Sequence, residues 1–278
     1  MKLLRVGELG SEIVAALDKD DKIRDLSEYI DDLDPKSLNN ETLTKLKQID
    51  LSSLKEIDAK KRVGSCVTNP IDFLAIGLNY RSHILGSKSK EPKEPIVFNK
   101  SCGSIQGPYD PIKKPNSAKK MDFECEICIV ISKEGKYIKE NEAQDYVFGY
   151  CIVNDISERS WQKDRGGQWI KGKSIAGPTG PLLVTKDEIK DIKNINFTLD
   201  LNGERKQAGN TKNMIFDFNY LISYISQFFT LYPGHLITTG TSEGTLFESE
   251  NPIFLKAGDK LRLKADFLGE QKYEVINE

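Results

Sequence analysis

The run Asp122-Phe123-Glu124-Cys125-Glu126-Ile127-Cys128-Ile129-Val130-Ile131 constrains this chain more than any other segment. Successive strand side chains point to opposite faces, so Glu124 and Glu126 share a face, roughly 6 to 7 Å apart. The other face carries Phe123, Cys125, Ile127, Ile129 and Ile131, which makes this a packed strand. Two like charges beside a packed strand repel each other and resist desolvation. A bound divalent cation removes both difficulties. Spacing alone leaves a second arrangement open, an edge strand whose carboxylates are solvated or set against Lys and Arg.

A chain of 278 residues can bury a sizeable core, as one large domain or one large and one small. The formal net charge is only −2, and Lys and Arg are spread along the sequence. That balance gives no electrostatic footprint for nucleic acid or an anionic membrane and leaves a small molecule as the expected partner. No run of about 18 apolar residues exists and the first residues lack an apolar signal core, so a soluble, cytoplasmic protein is expected. The five cysteines sit mostly in apolar runs, where free Cys acts as a small hydrophobe. Cys125 and Cys128 form a CxxC, but three positions along a strand place them on opposite faces, which argues against zinc or a redox pair.

Residues 1–65 read as a small N-terminal α+β domain. Short strands at Lys2 to Val6, Glu12 to Leu17 and Lys22 to Arg24 precede a helix with Asn40 as its cap and Leu43, Leu46 and Ile49 at helical spacing. Residues 66–278 are strand-dominated. Phe73 to Leu78 reads as a buried strand, and Asn202-Gly203 as a hairpin turn. One amphipathic helix starts at Asp217 and places Phe218, Leu221, Ile222, Ile225 and Phe229 on one stripe before Pro233-Gly234. Many strands and few helices predict a β-rich α+β fold rather than a doubly wound sheet.

One motif misleads. Gly167-Gln168-Trp169-Ile170-Lys171-Gly172-Lys173-Ser174 matches the phosphate-loop pattern GxxxxGK followed by Ser or Thr. That loop needs an apolar strand before it and a helix starting at its Lys, whose amides hold the phosphates. Here Gln162-Lys163-Asp164-Arg165-Gly166 precedes it, and Gly177-Pro178-Thr179-Gly180-Pro181 soon follows. The segment is therefore not read as a nucleotide site.

Asp155 closes the apolar run Tyr150-Cys151-Ile152-Val153-Asn154. With Glu158 three residues on, it matches a capping box, and alone it reads as a helix cap. Taken with Glu124 and Glu126 it completes three carboxylates, an all-oxygen set suited to Mg²⁺, Mn²⁺ or Ca²⁺ rather than zinc. The ordered series Glu124-Cys125-Glu126, Val153-Asn154-Asp155-Ile156-Ser157-Glu158-Arg159, Gln168 to Ser174, and Thr238-Thr239-Gly240-Thr241 resembles the fumarylacetoacetate hydrolase family over residues 66–278. The N-terminal unit further resembles the bacterial branch of 2,4-diketo-3-deoxy-sugar-acid hydrolases, often labelled ureidoglycolate lyase.

That resemblance implies a mixed β-roll catalytic domain, a homodimer and one divalent metal, Mg²⁺ or Mn²⁺ with Ca²⁺ as a third option. It implies Glu124, Glu126 and Asp155 as metal ligands, and Arg159, Gln162 and Thr241 as groups that bind an oxo-acid substrate. Lys173 would act on the substrate oxygens and His83 would activate water. The expected reaction is hydrolysis of a C–C bond in a 2,4-dioxo acid, giving pyruvate and a carboxylic acid. The same fold also carries oxaloacetate decarboxylases and isomerases or hydratases of unsaturated oxo-acids, and a catalytically silent paralogue is a further alternative. This chain departs from the family pattern at three places. Gly86 stands where a Glu usually orients the lid histidine, with Glu91 and Glu94 on the same loop as candidate replacements. Ile175-Ala176-Gly177 replaces an Asp-Thr-Phe run, and Ser242-Glu243 replaces a Pro-Pro.

Overall fold

The strand that carries the paired glutamates lies at the centre of the molecule. A computed structural model describes residues 1–278, with the strand itself spanning Cys125–Ile131 and buried at every position. It pairs antiparallel with Val147–Asn154 on one side and Leu236–Thr241 on the other. These three form the middle of a nine-stranded sheet. Beyond Val147–Asn154 follow Leu183–Thr185, Lys2–Val6, Ile13–Leu17 and Ile23–Asp25; beyond Leu236–Thr241 follow Phe73–Gly77 and Ile96–Asn99. The one parallel pair in this sheet joins Leu236–Thr241 to Phe73–Gly77. A second sheet of five strands runs in the order Glu204–Asn210, Asn196–Leu201, Lys260–Ala265, Gly269–Asn277, Ile112–Lys114. The expected β-rich α+β class stands.

Alternation along the central strand feeds two cores. Cys125, Ile127, Ile129 and Ile131 enter the larger cluster, which also holds Phe197, Leu199, Leu261 and Leu263 from the second sheet. Cys128 and Val130 enter a smaller cluster with Leu26, Leu33, Leu43 and Leu46 from the N-terminal residues. The central sheet is thus covered on both faces, and truncating a buried Ile here to Ala should cost about 2–5 kcal/mol. The N-terminal strands extend the same sheet, since Lys2–Val6 pairs with Leu183–Thr185. Cys125 and Cys128 face opposite cores, as strand geometry requires, and all five cysteines are free.

Four short α-helices punctuate the sheets: α1 Asn40–Leu46, α2 Arg81–Gly86, α3 Arg159–Lys163 and α4 Phe218–Ser226. The cap of α1 is Asn39 rather than Asn40, because Asn39 is the extended residue whose side chain accepts from Thr42 N. Asp217 caps α4 by accepting from Tyr220 N, and Phe218, Leu221, Ile222 and Ile225 are its buried stripe. That helix ends at Ser226, short of Pro233. Asn202 (φ 53°) and Gly203 (φ 84°) form the expected hairpin turn, both left-handed as a tight two-residue connection demands.

Candidate active site

The register of the central hairpin assembles the acidic residues. Cys125 is opposite Asn154 at the last pair of the ladder, so Glu124 and Asp155 emerge side by side where the two strands end. Asp155 N donates to Glu124 O at 2.8 Å, and Asn154 Oδ1 accepts from Glu124 N at 2.9 Å, which fixes both backbones. Ligand oxygens of Glu124, Glu126 and Asp155 lie within 4.8 Å of one another. Asp155 is not a helix cap. Glu158 caps α3 instead, its carboxylate accepting from Ser160 N at 2.9 Å.

Glu126 is held by a distortion in the neighbouring strand. Thr238 pairs with Cys128 and Thr241 with Glu126, so the register shifts between them. Gly240 takes φ +86° there, and its N–H reaches Glu126 Oε2 at 3.0 Å. A β-carbon at this position would sit 3.0 Å from Asn79 Cβ in an already unfavourable backbone conformation. The wet-edge alternative for the two glutamates fails, since Glu124 and Glu126 are 5% and 1% exposed.

Three cations face this cluster. Lys173 Nζ contacts Glu124 Oε2 and lies 2.7 Å from Asp155 Oδ2. Arg159 bridges Glu124 and Asp122 at 2.7 Å to each. Lys100, 1% exposed, sits 2.9 Å from Asp155 Oδ1 and donates to the carbonyl oxygens of Lys173 and Ile156. Burial alone would raise the Glu124 carboxyl, but Arg159 and Lys173 hold it well below the usual carboxylate range. Glu126 goes the other way. Burial, reinforced by the charges of Asp155 and Glu124, pushes it well above that range. Burial alone would lower the Lys173 ammonium, and Asp155 and Glu124 raise it above the ordinary lysine value.

The donor set fits a divalent cation. Four carboxylates (Asp122, Glu124, Glu126, Asp155) meet three cations, and Glu126 has no ion-pair partner. Asp155 Oδ1 is buried and makes no hydrogen bond of good geometry, with the Lys100 ammonium 2.9 Å away as its near charge. A hard dication on three carboxylate oxygens would satisfy both groups.

The same pocket is lined by His83, in α2, 7% exposed. Its Nδ1 is hydrogen-bonded to Glu248 Oε1, and Glu248 Oε2 accepts from Gly244 N at 2.7 Å. The expected substitutes for the missing lid carboxylate do other things: Glu91 faces Arg81 at 3.7 Å, and Glu94 accepts from Tyr224 Oη. The residue from 165 positions away reaches the histidine because Gly86 leaves room. A β-carbon on Gly86 would lie 2.5 Å from Glu248 Oε2. A carboxylate on Nδ1 fixes the proton there and leaves Nε2 as the basic nitrogen.

The remaining expected residues line the same pocket, a cavity of about 120 Å³. Gln162 accepts from Arg159 Nη1 at 3.3 Å, and its own NH₂ has no protein acceptor. Thr241 Oγ1 donates to Cys125 O and accepts from Gln207 Nε2, both at 2.9 Å. The phosphate-loop lookalike is a single 3₁₀ turn, Trp169–Lys171, that delivers Lys173 to the carboxylates. Sequence reasoning missed Glu248, Lys100 and the organising role of Asp122, which also accepts from Leu246 N and Phe247 N and so anchors the segment bearing Glu248.

A buried acidic triad that could hold a divalent metal, ringed by cations, and a carboxylate-partnered histidine thus share one region of a β-rich fold. Residues 72–276 match the family described as fumarylacetoacetate (FAA) hydrolase C-terminal, and the chain belongs to that family. A Burkholderia ambifaria protein whose name assigns it no more than hydrolase is 46% identical over 280 residues, covering 100% of this chain and 99% of that protein. The structure of fumarylacetoacetate hydrolase from Exiguobacterium antarcticum superposes with a TM-score of 0.87 at 26% identity and covers 100% of both chains. A 2-hydroxyhepta-2,4-diene-1,7-dioate isomerase from Mycobacterium marinum gives 0.78 at 26% identity, covering 100% of this chain and 99% of its own. No helix is long and apolar enough to cross a membrane.

Proposed function

We propose that this protein hydrolyses the C3–C4 bond of a 2,4-dioxo acid, with water as co-substrate and pyruvate and a carboxylic acid as products. The observation that carries this reading is that His83, partnered by Glu248, lines the same pocket as Glu124 and Glu126 of the acidic triad. A divalent cation on Glu124, Glu126 and Asp155 would supply Lewis acidity to the substrate oxygens. Arg159 and the free NH₂ of Gln162 orient the acid. His83 Nε2 takes a proton from water as the oxygen adds to the C4 carbonyl. Glu248 stabilises the imidazolium that forms, as a carboxylate on Nδ1 does in general acid–base catalysis. The C3–C4 bond then breaks, its electron pair passing into the enolate of pyruvate beside the Lys173 ammonium. Imidazolium returns the proton to C3, and atoms and charge balance. Decarboxylation and isomerisation need no activated water and gain appeal only for a histidine without a partner; Glu248 removes that reason.

The test follows the ultraviolet absorbance of an enolised 2,4-dioxo acid with purified protein, Mg²⁺ or Mn²⁺, and chelator. The reading requires metal-dependent loss of absorbance with one pyruvate per substrate consumed. Loss of absorbance without pyruvate, or none at all, would sink it.

A further inference from the structure

The pocket contains one cation that the chemistry above does not use. Arg159, Lys173 and Lys100 are each committed to carboxylates. Lys163 lines the same pocket, yet its ammonium forms no salt bridge and donates no hydrogen bond to the protein, with Glu124, Asp164 and Asp122 acting on it only at longer range; it stands 3.5 Å over the centroid of the Phe247 ring. It is the last residue of α3, one helical turn beyond Arg159, so both side chains leave the helix on the same side. Both lie against the same ring, Arg159 Cζ at 5.6 Å from its centroid. Arg159 is the inner of the two, bonded to Glu124. The pocket therefore runs from the triad, past Arg159, to an unpaired ammonium.

The lid adds matching chemistry. The hydroxyls of Ser87 and Ser89 line this pocket and are hydrogen-bonded to each other at 2.9 Å. Partial burial, and then the charge of Arg159, depress the Lys163 ammonium below the ordinary lysine value. A neutral acyl chain placed here would leave that ammonium unpaired and partly desolvated, whereas a carboxylate would relieve both. Lys163 is exposed as a residue, and contact with the Phe247 ring holds its ammonium beside the cavity.

We propose that Lys163 is a specificity-determining residue that receives a second carboxylate, at the far end of the acyl arm, so that the substrate is a dicarboxylic 2-oxo acid. This rests on reading the pocket as an oxo-acid site, but not on any bond being cleaved there. Its test is therefore a binding measurement. Calorimetric titration of the Mn²⁺-loaded protein would compare 2-oxoadipate with 2-oxohexanoate, two unreactive acids of equal chain length that differ in the terminal carboxylate. The expected preference for the diacid is about tenfold, the scale of a partly exposed charge pair aided by hydroxyls. In Lys163→Met the ratio should fall to near one, and in Lys163→Glu it should invert. Equal affinities in the unaltered protein, a ratio that survives Lys163→Met, or binding of neither acid would each overturn the assignment. A failed turnover assay with an intact affinity ratio would count against the hydrolytic reading and leave Lys163 standing.

Discussion

The two walls of the pocket are built on opposite principles. The triad wall is over-determined: Glu124, Asp155, Lys173, Arg159 and Lys100 are each 5% exposed or less, and each is held by at least two other groups. The lid wall hangs chiefly on one contact between distant segments, His83 to Glu248. The inner wall fixes where charge develops and tolerates little change. By the family resemblance a Glu at the position of Gly86 would partner His83, and here Glu248, from a distant segment, meets the histidine in the space that Gly86 leaves.

The largest effect that tests this contrast belongs to Lys173→Met. It removes the ammonium beside the developing enolate, and turnover with saturating Mn²⁺ should fall by about 10³-fold or more. A loss below tenfold would mean that the inner wall is not the seat of catalysis. Next comes the outer wall. Glu248→Ala should lower kcat by about 10- to 100-fold with KM little changed, as loss of a histidine's orienting partner does elsewhere. Adding Gly86→Glu to that variant should recover much of the loss, because the new side chain rises into the space that Glu248 vacates. Gly86→Glu alone should be harmful, since its β-carbon meets Glu248. If the double variant is no better than Glu248→Ala, the exchange account fails.

How much of this was legible follows the same division. The paired glutamates and the doubly covered strand could be read locally, since period-2 alternation and a run of Ile and Val are short-range signals. The ordered motifs carried Asp155, Arg159, Gln162 and Lys173. Glu248 could not be read, because nothing near residue 248 marks it and its meeting with His83 depends on how loops close over the sheet. The gap at Gly86 is visible in the sequence, but sequence proximity points to Glu91 and Glu94, whereas Glu248 reaches His83 through space. Lys100 had only a faint mark, a charged residue closing the strand Ile96–Asn99. Asp155 looked like a cap because Glu158 is three residues on, and the helix used Glu158 itself.

A smaller effect concerns pH. Glu126 is raised in the folded protein, first by burial and then by Asp155 and Glu124. A raised group contributes stability that is fully present below its unfolded value, about 4.5 for Glu, and is lost as pH rises through the folded one. Chelator-treated protein should therefore lose melting temperature as pH climbs above the ordinary carboxylate range, and Mn²⁺ should abolish that decline by taking the proton's place. Glu126→Gln should show no such metal-sensitive decline. A Tm difference between loaded and stripped protein that does not grow with pH would show that Glu126 is not the group responsible.

The most direct test of the account is a titration of Mn²⁺ into metal-stripped protein, with free Mn²⁺ read by electron paramagnetic resonance and turnover of a 2,4-dioxo acid measured on the same samples. The account predicts that activity rises with bound metal and levels off at one ion per chain, and that Glu126→Gln loses both binding and activity. Full turnover in the stripped protein, or unchanged Mn²⁺ binding by Glu126→Gln, would contradict it.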